Sequence, residues 1–141
     1  MRTSPAAPLL LTTLSAFQAA LAAGVPWGRA AFGGQHEGRL PARLRITSAV
    51  ASVVYAAGAG ALVSPGTSPG TRRVILRGCV GLGTVGTVMN AVSRSPLERL
   101  WSVWSLALAV SSWRELRRRR QRAGSFHGCE PFQRLRVLSE V

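Results

Sequence analysis

Residues 46–63 read ITSAVASVVYAAGAGALV, and this stretch decides the fold. It carries no charged residue and ends at the turn-forming sequence Ser64-Pro65-Gly66. A helix needs about 20 apolar residues to cross the roughly 30 Å hydrocarbon core of a bilayer, with a range of about 17 to 25. Apolar and polar residues do not alternate here, as they would in a half-buried strand or a membrane barrel. The stretch therefore predicts a membrane-spanning helix.

Three further apolar stretches surround it, at residues 9–25, 74–92 and 97–113. The first is uncharged and is followed by Pro26, and the second contains a single charge, Arg77, within reach of the headgroups. The last is shorter, and it spans a bilayer only if Arg99 and Arg114 extend toward the headgroups. The sequence thus predicts four spans.

The expected fold is all-α: a four-helix transmembrane bundle with antiparallel, up-down topology. It occupies residues 1–113 and is followed by a flexible, Arg-rich cytoplasmic tail at residues 114–141. An alternative for the first span is a cleaved signal peptide, because Arg2 precedes an apolar run and Ala20-Leu21-Ala22 has the form of a cleavage site.

The amino-acid composition also favours a membrane environment. Hydrophobic residues make up 47% of the chain and charged residues 16%, against roughly 25% charged residues in an ordinary globular domain. The net charge is +13, and every basic residue is an arginine. A basic excess of this size indicates an anionic partner, which is either phospholipid or nucleic acid.

The arginines that follow the fourth stretch favour phospholipid. They come directly after an apolar span, where anionic headgroups attract basic side chains, and they lack the interleaved aromatic residues of a nucleic-acid surface. Nucleic acid is therefore disfavoured as a partner, and anionic phospholipid of the bilayer is expected. The predicted headgroup contacts are Arg114, Arg117, Arg118, Arg119, Arg120 and Arg122.

Orientation follows from the distribution of arginines around the spans. Nine lie near span ends on the side that holds both termini and the middle connection, and six lie on the opposite side. The positive-inside rule then predicts that both termini are cytoplasmic.

Residues 81–86, GLGTVG, match the G-x-G-x-x-G pattern of dinucleotide sites. Such a site needs a strand before the glycines and an acidic residue about 20 positions later, and Glu98 comes too early. A helix-packing role explains the glycines better, because small residues every four positions let helix backbones approach closely. We expect small faces at Cys79, Gly83 and Thr87; at Ser48, Ser52, Ala56 and Gly60; and at Ala16, Ala20 and Gly24.

Residues that carry catalysis or bind metals are scarce. Cys79 and Cys129 are far apart, His36 and His127 are separated likewise, and aspartate does not occur. No catalytic residues, metal or cofactor are predicted, so the protein is expected to be non-enzymatic. The polar residues within the spans are few, chiefly Gln18, Tyr55, Asn90 and Arg77. No carboxylate is expected to be embedded in a span, which weakens a proton-coupled transport role.

Short motifs in the connections add a resemblance. They are Pro26-Trp27-Gly28, Gly33-Gly34-Gln35, Leu40-Pro41, Arg43-Leu44-Arg45, Met89-Asn90, Ser93-Arg94-Ser95 and Glu98-Arg99. With these motifs the chain resembles a family of small uncharacterised bacterial four-span membrane proteins over about residues 9–112. One departure is Trp101-Ser102-Val103, where similar proteins commonly have a proline after the tryptophan.

The resemblance implies a multi-pass protein of the bacterial inner membrane and no known activity. It makes the following interfacial residues candidates for a shared site: Trp27, Gly28, Gly34, Gln35, Asn90, Ser93, Glu98 and Arg99. We also expect Glu98 to pair with an arginine of the connection at residues 26–43. The preferred function is a structural or interaction component that associates with itself or with another membrane protein. The alternatives are a small channel or transporter and, least favoured, a membrane-bound enzyme.

Overall fold

A computed structural model describes the backbone of residues 4–127 and the side chains of residues 4–121. It contains four helices: α1 (Ala6–Ala23), α2 (Ala42–Val63), α3 (Pro69–Ala91) and α4 (Pro96–His127). Two short 3-10 turns, Gly28–Ala30 and Phe32–Gly34, lie between α1 and α2. Over these described residues the secondary structure is helical without strands, which confirms the all-α prediction.

Local sequence explains where the helices begin and end. The Ser68 hydroxyl accepts a hydrogen bond from the Thr71 amide at 3.1 Å, and Pro69 occupies the first turn of α3. Both features are favoured at helix starts, where the first amides have no partner within the helix. At the other end of α1, Gly24 adopts the left-handed conformation (φ +95°) that terminates many helices.

The fourth helix is longer than the sequence prediction. It continues past Trp113 to His127, so residues 114–127 of the predicted tail belong to a helix, whereas residues 128–141 lie outside the described part of the chain. Residues 114–122 are rich in good helix formers. Glu115 and Arg119 add an ion pair one turn apart, with 2.9 Å between Oε1 and Nε.

The helices pack mainly in two pairs, α1 with α2 and α3 with α4. In the first pair, the hydroxyls of Ser15 and Ser52 each donate to the other residue's carbonyl, at 2.8 and 3.0 Å. Arg45 at the start of α2 donates to the Ala22 carbonyl at 2.9 Å. The serine contacts lie near the middle of both helices and the arginine contact joins the end of α1 to the beginning of α2, so the two helices run in opposite directions.

In the second pair, Gly83 of α3 lies directly against α4 beside Ser105 and Ala109. A lesser contact joins the pairs, because the Trp104 indole donates to the Leu10 carbonyl at 3.4 Å. The apolar core lies at this junction and contains buried residues from all four helices: Ala7, Leu11, Ala59, Leu62, Leu76, Cys79 and Leu108.

The predicted small faces are correct for α3 and partly wrong for the other helices. Cys79 and Gly83 are buried as expected, but Ala56 and Gly60 of α2 and Ala16 of α1 are exposed. Strict four-residue steps drift about 40° around a helix of 3.6 residues per turn. The packed face of α2 instead follows alternating steps of four and three, through Ser48, Ser52, Tyr55, Ala59 and Leu62.

Helices α1, α2 and α3 are each long and apolar enough to cross a membrane. Their outer faces carry large apolar side chains that are mostly exposed. On α2, Val53 is 69% exposed and Ile46 is 66% exposed, and on α3, Val74 is 67% exposed. Such faces favour a lipid environment over water.

Candidate functional site

The buried carboxylate of Glu98 joins three segments at one end of the bundle. Glu98 lies in the first turn of α4 and is 4% exposed. Its Oε1 accepts a hydrogen bond from the Gly33 amide at 2.6 Å, and its Oε2 accepts one from the Ser93 hydroxyl. The long connection between α1 and α2 is thereby tied to the turn between α3 and α4.

The expected pairing of Glu98 with an arginine of the long connection is wrong. Glu98 does contact that connection, but its partner there is the backbone amide of Gly33. The nearby arginine, Arg29, forms an exposed ion pair with Glu37 instead. The Gly33 amide therefore occupies the place that was expected for an arginine.

The long connection bends sharply where it meets Glu98. Phe32, Gly33 and Gly34 all have positive φ angles, +53°, +81° and +66°. Such angles are costly for a residue with a Cβ atom, so Phe32 is a strained position. A Cβ atom on Gly34 would lie 2.5 Å from the Cβ atom of Ser95. The Ser95 hydroxyl also donates to the Arg29 carbonyl at 2.7 Å, which fixes the approach.

Gly28 has a similar role within the connection. Its amide donates to the Gly38 carbonyl at 2.9 Å, and a Cβ atom there would lie 2.5 Å from the His36 carbonyl oxygen. Only glycine fits this close approach of two backbone segments.

The structure brings some of the predicted site residues together and separates others. Gly34, Ser93 and Glu98 lie in the contact just described, and Arg99 donates to the Ser93 carbonyl at 3.0 Å. The Trp27 ring stacks on Phe17 at a centroid distance of 6.1 Å, Gln35 is exposed, and Asn90 lies deeper, in the cavity beneath the connection.

We expect Gly34→Ala to destabilise the fold by about 2 to 4 kcal/mol, because the new methyl group adds a close contact with Ser95 to the strain of a positive φ angle. Gly38→Ala is the matched control, since Gly38 also has a positive φ angle but nothing lies within 4 Å of the position that its methyl group would take. The free energy of unfolding in mixed micelles measures both. Equal losses would show that the contact with Ser95 is unimportant.

A cavity of about 190 Å³ lies beneath the long connection and extends between the helices. Its polar lining comes from all four helices: Gln18, Tyr55, Asn90, Glu98 and Ser105. The Asn90 amide lies 3.5 Å from the Ser105 hydroxyl, at the long limit for a hydrogen bond. Within the described residues, the buried side-chain oxygen of Gln18 has no hydrogen-bond partner.

Aromatic rings form part of the wall of this cavity. Phe17 and Trp101 line it with ring centroids 4.4 Å apart, and Phe32 of the long connection lines it from above. Aromatic rings beside a few converging polar groups are also found in small-molecule sites.

This convergence was not predicted from the sequence. Gln18, Tyr55 and Asn90 were expected as polar residues within separate spans, and their spacing does not indicate that they meet. Glu98 is buried beneath the connection, in the first turn of α4, which the sequence did not indicate. One feature of the sequence does indicate that these residues meet. Gln18 and Asn90 each lie close to the helix end on the same side of the bundle as Glu98.

The opposite end of the bundle carries the predicted headgroup contacts. Arg114, Arg117, Arg118 and Arg120 are exposed, and Arg117 lies over the Trp113 ring at 5.0 Å. Arg119 is half-buried in its ion pair with Glu115, and the side chain of Arg122 lies outside the described part. A groove of about 1130 Å³ between α1 and α2 opens at this end, with Arg72 and Arg119 on its rim.

The described residues contain no group of three His, Cys, Asp or Glu side chains placed to hold a metal ion. Comparison of the chain with models of protein families, with curated proteins and with solved structures gives no match.

Proposed function

We propose that the protein is a multi-pass component of the bacterial inner membrane that acts by association with itself or with another membrane protein. The observation that carries the proposal is the set of three helices long and apolar enough to cross a bilayer. Their exposed valines and isoleucine would face lipid, where an apolar surface carries no penalty. The proposed role is structural and non-enzymatic.

The fourth span in this proposal is the first part of α4. Residues 97–113 pack along α3 and reach α1 through Trp104. A bilayer containing α3 would therefore enclose this part of α4 as well. The basic part of α4 would then emerge among the headgroups, at about 1 kcal/mol of attraction to anionic lipid per arginine.

The proposed orientation places both termini in the cytoplasm. The exposed arginines of α4 and the groove with Arg72 and Arg119 on its rim share that side. The long connection and the cavity beneath it then face the opposite side of the membrane. The first helix stays in the mature protein under this proposal, because Leu21 is fully buried against the long connection and removal of α1 would expose that cluster.

A small carrier or channel is the second candidate, and the polar cavity between the helices favours it. Gln18, Tyr55, Asn90 and Ser105 come from four different helices and face one space. Polar residues facing the interior of a membrane bundle commonly mark a substrate path.

Topology reporters test the proposed arrangement. We expect alkaline phosphatase fused after Gly34 to be active, and fusions after Gly70 and at the C-terminus to be inactive, because the enzyme folds only outside the cytoplasm. A green fluorescent protein series should give the reverse pattern. The mass of the mature N-terminus, measured on the same preparation, shows whether α1 is retained.

Two outcomes would contradict the proposal. Equal phosphatase activity after Gly34 and after Gly70 would mean that α2 does not cross the membrane. Release of the full-length protein from vesicles by alkaline carbonate would mean that it is peripheral.

A further inference from the structure

We propose that the cavity beneath the long connection binds a small organic ammonium ion that also carries a hydrogen-bond donor such as a hydroxyl. Three independent features of the cavity lead to this ligand class: an unneutralised carboxylate, an aromatic wall and an orphaned acceptor. The inference goes beyond the proposed structural role and holds for a carrier as well as for a receptor or a static ligand site.

The first feature is the charge of Glu98. Among the cavity-lining residues that the structure describes, Glu98 is the charged one, and its two hydrogen-bond donors are a neutral amide and a neutral hydroxyl. Within the described residues Glu98 forms no ion pair, and a buried carboxylate without one is costly, so the site favours a ligand with positive charge. A carboxylate offers about four lone-pair positions. Two of them remain for a ligand.

The second feature is the aromatic wall. Phe17, Trp101 and Phe32 line the same cavity as Glu98. The faces of aromatic rings attract cations, and quaternary ammonium groups are held by several such rings together. A metal ion would gain little here, because the described residues offer it a single carboxylate and no His or Cys ligand at this cavity. An organic cation fits both the charge and the apolar surface.

The third feature is Gln18. Gln18 lines the cavity, and its buried side-chain oxygen lacks a hydrogen-bond partner within the described residues. Leaving a buried acceptor unpaired costs free energy, which a hydroxyl or amide donor on the ligand would recover. The ligand therefore has a cationic end for Glu98 and the rings, and a donor for Gln18.

Choline is a suitable probe because it combines a trimethylammonium group with a hydroxyl. Its uncharged analogue, 3,3-dimethylbutan-1-ol, has nearly the same shape and keeps the hydroxyl. We would reconstitute the full chain in nanodiscs made of phosphatidylglycerol alone and titrate each compound by calorimetry. Because desolvated cation–π contacts are strong, choline should bind roughly tenfold or more tightly than the alcohol.

Two variants locate the binding. Glu98→Gln keeps an acceptor for the Gly33 amide but removes the charge, so it should abolish the preference for choline over the alcohol. Gln18→Leu removes an unpaired polar atom, which a folded protein tolerates well, and it should weaken the binding of both compounds through loss of the hydroxyl contact. Glu37→Gln is the control at the same end of the bundle and should leave both affinities unchanged, because Glu37 is exposed and outside the cavity.

A second set of nanodiscs, containing phosphatidylethanolamine, separates the two possible sources of the ammonium group. Competition of this lipid with choline would identify a lipid headgroup as the ligand, whereas choline binding unaffected by it would identify a free small molecule. Both results support an ammonium site. Equal binding of choline and the alcohol, binding that survives Glu98→Gln unchanged, or no choline binding in either membrane would overturn the proposal.

Discussion

Gly83→Ala should destabilise the protein by about 3 kcal/mol, toward the upper end of what overpacking costs in a well-packed interior. The methyl group would lie 2.6 Å from the Ser105 carbonyl oxygen, 2.7 Å from the Ala109 amide nitrogen and 2.9 Å from the Ala109 Cβ atom. Two of these atoms belong to the backbone of α4 and cannot rotate away. The two helices must therefore separate along the contact that holds this pair together.

Gly81→Ala is the matched control on the same helix. Nothing lies within 4 Å of the position that a methyl group on Gly81 would take, and alanine is the better helix former, so this variant should be neutral or about 0.5 to 1 kcal/mol more stable. Unfolding in micelles with increasing dodecyl sulfate, followed by helical circular dichroism, measures both variants. A loss of similar size at Gly81 would show that flexibility of α3, and not its contact with α4, determines the effect.

The role of the glycines at residues 81–86 was predicted only in part from the sequence. Their spacing predicted a close helix contact, and the structure places Gly83 at that contact while Gly81 faces outward. The contact partner could not be predicted, because Ala, Gly and Ser recur on several faces of every helix here. On α2 the four-residue spacing predicted that Ala56 and Gly60 lie at a helix contact, but both are exposed. The prediction fails there because an α-helix has 3.6 residues per turn and not four.

The helices themselves were predictable because apolar runs bounded by Pro, Gly and Ser leave few alternatives. The C-terminal end of α4 was not predictable from hydropathy. The apolar run ends at Trp113, but arginine has a high helix propensity, so the helix continues through the arginines that follow. The cavity was the least predictable feature. It depends on which sides of four helices meet, and a single polar residue such as Gln18 carries no information about the residue opposite to it.

The contact of Glu98 was predicted in part. The sequence predicted the correct pair of connections, because both lie at one end of the helical bundle, but the expected partner of the carboxylate was an arginine. Three successive positive φ angles at Phe32, Gly33 and Gly34 present a backbone amide to the carboxylate instead. Two of these angles belong to glycines, and the strained angle at Phe32 has no signature in the sequence.

Glu98→Ala should remove about 3 to 6 kcal/mol from the free energy of unfolding, because hydrogen bonds to a charged group contribute roughly 1.5 to 3 kcal/mol each and two are lost. The effect should be local as well as global. The Gly33 amide loses its acceptor, so its hydrogen exchange in micelles should accelerate more than that of amides in the middle of α2. The loop between α1 and α2 should open while the helix pairs stay formed.

Glu37→Ala is the control for removal of a carboxylate from the same end. Glu37 forms an exposed ion pair with Arg29, and surface pairs of this kind contribute about 0 to 1 kcal/mol. The two variants remove the same chemical group and differ chiefly in burial. If they cost the same, or if Gly33 exchanges no faster after Glu98→Ala, the buried carboxylate does not hold the long connection over the cavity. If the costs differ as expected, closure of the cavity and its negative charge come from one side chain, so a cation that binds Glu98 would also act on the loop that covers it.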